Sequence, residues 1–157
     1  MLRVSYVDSL DCINSDGVAL TVWFQGCPFN CEGCHNQELK PFEGGTEFTA
    51  QELYSHLDNY YYLRDYKNIV LIGGEPLSQE LCSLEEFLTQ LDCFWGGKVW
   101  LYTGNDYSDV PLEIKEHCYC IKAGKYNPKD YPPVKGSKLA SSNQHYYFHN
   151  GSINDNF

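Results

Sequence analysis

Three cysteines, Cys27, Cys31 and Cys34, fall inside the stretch GCPFNCEGCHN at residues 26–36, in the spacing C-x3-C-x2-C. Reduced thiols this close can pack, hold one metal ion, or hold a cluster. Packing is a poor account, because Gly26, Pro28, Gly33 and the asparagines make a turn-rich loop rather than an apolar face. Zinc is a second account: Cys27, Cys31, Cys34 and the adjacent His35 would supply a Cys3His set. Neighbouring residues reach one small ion only with strain, however, and no second paired-ligand knuckle follows. An iron–sulfur cluster is the third. A cubane is wide enough for ligands four and three residues apart to reach three of its corners, whereas ordinary electron-carrier clusters take four cysteines. A missing fourth thiolate leaves one iron open, and an open metal position is where a substrate binds.

The other potential ligands read as structural. Cys12, Cys82 and Cys93 are isolated thiols, which ordinarily pack as small apolar groups. Cys118 and Cys120 stand two apart on a predicted strand, so both are expected on one face as packing residues, with an accessory metal or redox role as the alternative. His56, His117, His145 and His149 are expected to be surface or core histidines, since no general acid or base stands out. The N-terminus, MLRVSYVDSLDC, carries acids where a signal peptide needs an apolar core, so a cytoplasmic location is expected. There thiols stay reduced, which argues against a disulfide framework for the eight cysteines. In that setting the sequon at Asn150 is idle.

With 157 residues the chain is expected to form a single domain over 1–157, its polar tail from 150 fraying. No stretch approaches the roughly 18 apolar residues of a membrane span, so a soluble protein without a membrane partner is expected. A net charge of −10 is the wrong sign for neutralising phosphates, which excludes nucleic acid as the main partner. From Lys122 to Lys138, by contrast, five lysines face one acid, Asp130. That segment reads either as a solvated loop or as a dock for an acidic partner.

The positioning elements follow from periodicity. VALTVWFQG (18–26) reads as a buried strand that feeds the cysteine loop. In TAQELYSHLDNYYYL, Thr49 and Glu52 form a capping box ahead of a helix with Leu53, Leu57 and Tyr60 or Tyr61 on one face. NIVLIGGEP (68–76) is a second strand. Next comes a helix with Leu81, Leu84, Leu88 and Leu91 at helical spacing, and KVWLYTG (98–104) is a third strand. A short helix within YSDVPLEIKEHC, a strand in CYCIKAG (118–124) and another in QHYYFH complete the series. Strands alternating with helices predict an α/β fold, a mostly parallel sheet with sites outside the strands' carboxyl ends. The cysteine loop, GGEP and YTG should therefore meet at one end.

The cysteine spacing after a strand, followed by GGEP after the next strand, resembles the radical S-adenosylmethionine superfamily. Within it, the Cys-x-Gly-Cys-His-Asn ending of FQGCPFNCEGCHN, the short chain, YTG at 102–104 and SSNQ at 141–144 resemble the activating proteins of anaerobic (class III) ribonucleoside-triphosphate reductases. The resemblance runs from about Ser15 to Gln144. It implies a partial, truncated TIM-like barrel and two cofactors, a 4Fe–4S cluster on Cys27, Cys31 and Cys34 and S-adenosyl-L-methionine on the open iron. Gly73, Gly74 and Glu75 would bracket the methionine end, their bare backbone accepting from its ammonium. Gly33, Cys34 and His35 would line the adenosyl side, and Thr103 with Gly104 would complete the pocket.

The implied chemistry is one-electron cleavage of the sulfonium to methionine and a 5′-deoxyadenosyl radical. That radical installs a glycyl radical on the reductase's catalytic subunit, with a low-potential donor such as flavodoxin supplying the electron. Three features depart from the pattern. Gly33 replaces the aromatic residue often found before the third cysteine, SDGVALTVW lacks the arginine often found ahead of the loop, and KLASSNQ is longer than Gly-Ser-Ser-Asn-Gln. The alternatives are a small-molecule enzyme of the same superfamily, such as a 7-carboxy-7-deazaguanine synthase, and a zinc-stabilised binding module.

Overall fold

In the computed structural model, which describes residues 1–130 and 137–155, seven strands form one sheet in the order β3-β1-β2-β4-β5-β6-β7. The strands are β1 (Leu2–Asp11), β2 (Ala19–Phe24), β3 (Thr46–Phe48), β4 (Asn68–Gly73), β5 (Lys98–Thr103), β6 (Cys120–Ala123) and β7 (His145–Phe148). The four central ones, β2, β4, β5 and β6, are mutually parallel. Antiparallel β1 and β3 flank them on one side, and antiparallel β7 on the other. The predicted parallel centre is thus present, and β1 and β3 are additions to it. β1 is largely exposed from Tyr6 to Leu10, and β3 has only three residues, so neither carries a strong apolar run.

Helices α1 (Ala50–Tyr61), α2 (Leu81–Phe94) and α3 (Leu112–Lys115) supply the crossovers. The Thr49 hydroxyl and the Glu52 carboxylate cap α1 reciprocally, as predicted. Leu53, Leu57, Leu84, Phe87, Leu88 and Leu91 are fully buried against one face of the sheet. Of Tyr60 and Tyr61 it is Tyr61 that packs inward, while Leu81, an expected core position, is exposed. Among the described residues no helix is long and apolar enough to cross a membrane.

The parallel strands are buried on both faces, which is why each reads as an almost unbroken apolar run. Leu20, Val22, Ile69, Leu71, Val99, Leu101 and Ile121 meet the helices. Their alternates Ala19, Val70, Trp100, Tyr102 and Cys120 face the opposite side with Leu139 and Tyr146. This second face, away from the helices, leads to the candidate site. The expectation for the cysteine pair is corrected here: Cys118 belongs to the helix-side core and Cys120 to the other. β6 begins only at Cys120, and Cys118 sits in the turn after α3, where its Sγ–H donates to the Ile114 carbonyl at 3.2 Å. The tail is tied back as far as Asp155, whose carboxylate accepts from the Tyr146 N–H and pairs with His145.

Candidate functional site

The cysteine loop hangs from the carboxyl end of β2 and closes on itself. Gly26 N–H donates to the Leu39 carbonyl at 2.8 Å, and Cys27 N–H to that of Lys40 at 3.0 Å. The turn after β4 continues the sheet pairing alongside it, with Gly74 N–H donating to Phe24 O (2.9 Å) and Glu75 N–H to Gly26 O (2.8 Å). These rungs fix the glycines. Gly73 has φ +117°, and a Cβ there would lie 2.5 Å from Phe24 N. A Cβ on Gly74 would lie 2.3 Å from Gly26 O and 2.9 Å from Leu39 O. The bare side of Gly73 therefore faces the backbone at the end of β2 and that of Gly74 the backbone of the cysteine loop, so close packing of two strand ends is a sufficient reason for glycine here. Gly74→Ala should push the GGEP turn off the loop and destabilise the fold by about 1–3 kcal/mol, the usual cost of overpacking, measurable by urea denaturation.

Glu75 is buried, and its carboxylate is a brace. Oε1 accepts from Thr103 Oγ1 (2.8 Å) and Leu77 N (3.0 Å), and Oε2 accepts from Gly104 N at 2.8 Å. The side chain thus ties the turn after β4 to the turn after β5. Burial pushes its pKa up, against the hydrogen bonds that favour the charged form. The Phe29 ring reaches over from the cysteine loop and would sit 2.8 Å from a Cβ on Gly104. Three turns from three strand ends are in this way locked into one rim.

Under that rim is a cavity of about 390 Å³. Cys27, Cys31, Cys34, His35, Gly73, Gly74, Glu75, Thr103 and Gly104 all line it, as does Asn36. Gly33 does not line it: it is exposed in the turn and faces outward near Pro128. Sequence reasoning missed the inner wall, where Ile72, Tyr102, Lys122, Tyr126 and Gln144 lie. Within SSNQ it is Ser141 and Gln144 that turn inward, Gln144 donating to Gly124 O at 3.0 Å, while Ser142 and Asn143 are exposed. A signal existed for Lys122, a lysine in the inward phase of an otherwise apolar strand.

Lys122 is 9% exposed. Its Nζ donates to the Lys138 carbonyl at 3.3 Å and lies 4.9 Å from the Tyr102 ring centroid and 5.8 Å from that of Tyr146. Among the described residues no carboxylate pairs with it, and burial lowers its pKa to about 8. The lysine-rich segment is therefore not uniformly solvated. Lys122 faces the cavity and Lys138 bonds the Ser15 carbonyl at 2.9 Å, while Lys135 lies outside the described residues.

The three thiols are half-buried. Burial raises the Cys27 pKa against a hydrogen bond from the Phe29 N–H, with the Glu75 charge and the other two thiols adding to the rise. Among the described residues no three His, Cys, Asp or Glu side chains converge tightly enough for a single metal ion. Thiols spread around a shared cavity suit a multi-iron cluster better than one zinc ion. The ammonium of Lys122, bonded to the Lys138 carbonyl and without a carboxylate partner among the described residues, in turn suits a ligand bearing a carboxylate. The remaining histidines keep local roles: His117 pairs with Asp92 at 2.5 Å, His56 packs against Phe48 and Tyr61, and His149 is exposed.

A parallel sheet whose strand ends gather three thiols and two glycine turns around one cavity is an α/β architecture suited to holding a cluster. The chain belongs to the family of 4Fe–4S single cluster domains, which matches residues 13–147. It is similar to the pyruvate formate-lyase-activating enzyme of Clostridium pasteurianum, at 31% identity over 102 residues covering 59% of this chain and 43% of that enzyme. It is also similar to the enzyme of that name from Listeria monocytogenes, at 33% identity over 89 residues covering 55% of this chain and 36% of the relative. The matched stretch thus spans under half of each of these relatives' length. Among solved structures it resembles QueE from Escherichia coli, with a TM-score of 0.54 and 14% identity over 78% of this chain and 70% of that one. That likeness defines the fold. Together the family and the activating-enzyme relatives imply an iron–sulfur cluster and S-adenosylmethionine as cofactors.

Proposed function

We propose that this chain activates a glycyl-radical enzyme, and that its substrate is the catalytic subunit of an anaerobic ribonucleoside-triphosphate reductase. The observation that carries the reading is the convergence of Cys27, Cys31 and Cys34 with the glycine turns at 73–75 and 103–104 on a single cavity. When bound, the cofactors supply reductive cleavage of the sulfonium, giving methionine and a 5′-deoxyadenosyl radical that takes a hydrogen atom from a glycine Cα of the partner.

The residues of the chain bind and orient. Cys27, Cys31 and Cys34 hold the cluster. Gly73, Gly74, Thr103 and Gly104 enclose the methionine end on a rim that the Glu75 brace keeps rigid, and Lys122 gives its carboxylate a counter-charge. Cys34 and His35 flank the nucleoside, and Gly33 shapes the turn that presents them. No proton transfer is asked of any side chain. The apolar inner wall of Ile72 and Tyr102 excludes water, and a low-potential donor such as flavodoxin is the second partner.

The reductase assignment rests on the Cys-x-Gly-Cys-His-Asn ending, YTG and SSNQ. The names of the curated relatives favour pyruvate formate-lyase as a second candidate substrate. The test mixes the reduced, cluster-loaded protein with S-adenosylmethionine and each candidate partner without oxygen, and records electron paramagnetic resonance spectra. A glycyl-radical doublet with the reductase and none with pyruvate formate-lyase is the expected result. Deoxyadenosine formed with neither partner radicalised would point to a small-molecule substrate. A colourless protein that binds zinc would return the reading to a binding module.

A further inference from the structure

Cys31 has a second neighbourhood. On the outer side of the cysteine loop lies a shallow hollow of about 350 Å³, lined by Asn30, Cys31, Glu32, Lys125, Tyr126 and Asn127 among others. Cys31 and Tyr126 also line the inner cavity, so these two side chains form the partition between the hollows. An approach from outside reaches the Cys31 thiol without entering the space assigned to S-adenosylmethionine.

Lysines from separate segments gather at this outer face. Lys125 Nζ lies 5.9 Å from the Phe29 ring centroid, Lys129 Nζ lies 3.9 Å from Glu32, and Lys40 Nζ donates to Asn30 Oδ1 at 2.9 Å. The acids facing them are Glu32 and Asp130, the latter already accepting from Asn127 Nδ2 at 2.7 Å. Three lysines against two acids is a local inversion on a chain with 21 acids and 11 basic residues. Lys125 and Lys129 are exposed, unlike Lys122 and Lys138 of the same segment.

We propose that this outer face docks an acidic one-electron donor protein, which delivers its electron to the cluster at the Cys31 edge. The inference rests on the reading that Cys27, Cys31 and Cys34 hold the cluster. One electron leaves the donor's reduced flavin, which is oxidised by one electron, and the cluster gains it; no atom changes hands. Because the two hollows are separate, donor and S-adenosylmethionine occupy the protein together. The lysines steer encounter, and such steering shows in association rate and salt dependence.

The probe is flavodoxin hydroquinone, freed of excess reductant and mixed with the cluster-loaded protein at low ionic strength, with bleaching of the cluster's visible absorption followed in time. Lys125→Glu combined with Lys129→Glu should slow the second-order rate by about tenfold and flatten its salt dependence. Lys67→Glu, ahead of β4 at the opposite end of the sheet, should leave it unchanged. Dithionite, which needs no dock, should bleach all of these proteins alike. Unchanged flavodoxin kinetics in the double variant, or equal slowing by Lys67→Glu, would overturn the docking face. Failure of dithionite to bleach the unaltered protein would instead overturn the cluster reading beneath it.

Discussion

Cys31→Ala is expected to yield a folded, nearly colourless protein with little bound iron and no detectable deoxyadenosine from S-adenosylmethionine. The loop does not need the Cys31 side chain to close. Its ends are joined by the Gly26–Leu39 and Cys27–Lys40 backbone hydrogen bonds, and Gln25 Nε2 adds bonds to the Glu38 and Pro41 carbonyls at 3.1 and 2.8 Å. The far-ultraviolet circular dichroism of the variant should therefore match that of the unaltered protein. The cluster does need the thiol: with three thiolates already one short of the ordinary set, removing another leaves two corners unheld. Cys82→Ala, at an exposed thiol on α2, is the matched control and should retain iron and colour. Full iron content in Cys31→Ala, or iron lost equally in Cys82→Ala, would show that the motif is not the ligand set.

What could be read in advance divides along physical lines. The parallel strands are legible because burial on both faces leaves few polar residues, and the glycines ending them, Gly26, Gly73 and Gly104, place three turns on one rim. The capping box at Thr49 and Glu52 is local chemistry and is equally legible. β1 is not, because the alternation of Leu2, Arg3, Val4 and Ser5 breaks down after the register shift between Val4 and Tyr6, and Asp8, Ser9 and Leu10 are all exposed. The side to which Cys118 and Cys120 point depended on where β6 begins, a boundary that a run of small and aromatic residues does not fix. Glu75 and Gly74 line the cavity, yet their bonds and close contacts run between strand ends that only the fold brings together. Lys122 was counted with its charged neighbours in sequence, yet its phase on β6 turns it inward to Tyr102 and Tyr146.

That inward lysine gives a prediction whose two halves have opposite signs. Lowering its pKa from 10.5 to about 8 means that the buried ammonium costs the fold about 3 kcal/mol at neutral pH. Lys122→Met keeps most of the volume and removes the charge, and it forfeits one hydrogen bond and two ring contacts worth about 1 kcal/mol or less each. The variant should therefore be more stable by about 1–2 kcal/mol, raising Tm by about 2–6 °C. The linkage has a definite sign. Between about 8 and 10.5 the unfolded lysine holds a proton that the folded one has released, so stability of the unaltered protein rises with pH across that window and its deficit against the variant shrinks. Binding should move the other way. If the ammonium is the counter-charge for the methionine carboxylate, its loss costs about 2 kcal/mol, or about thirtyfold in affinity for S-adenosylmethionine. In the unaltered protein that affinity should decline as pH rises past about 8, while in Lys122→Met this dependence disappears. The other titratable groups lining the cavity, Glu75, His35, Tyr102, Tyr126 and the three cysteines, are common to both proteins, as is Tyr146 beside Lys122, so the difference between the two pH profiles isolates Lys122. Anaerobic calorimetric titration beside thermal denaturation decides the matter: a Met variant that is less stable, or that binds S-adenosylmethionine as well as its parent at neutral pH, would remove Lys122 from the site and leave it a core residue.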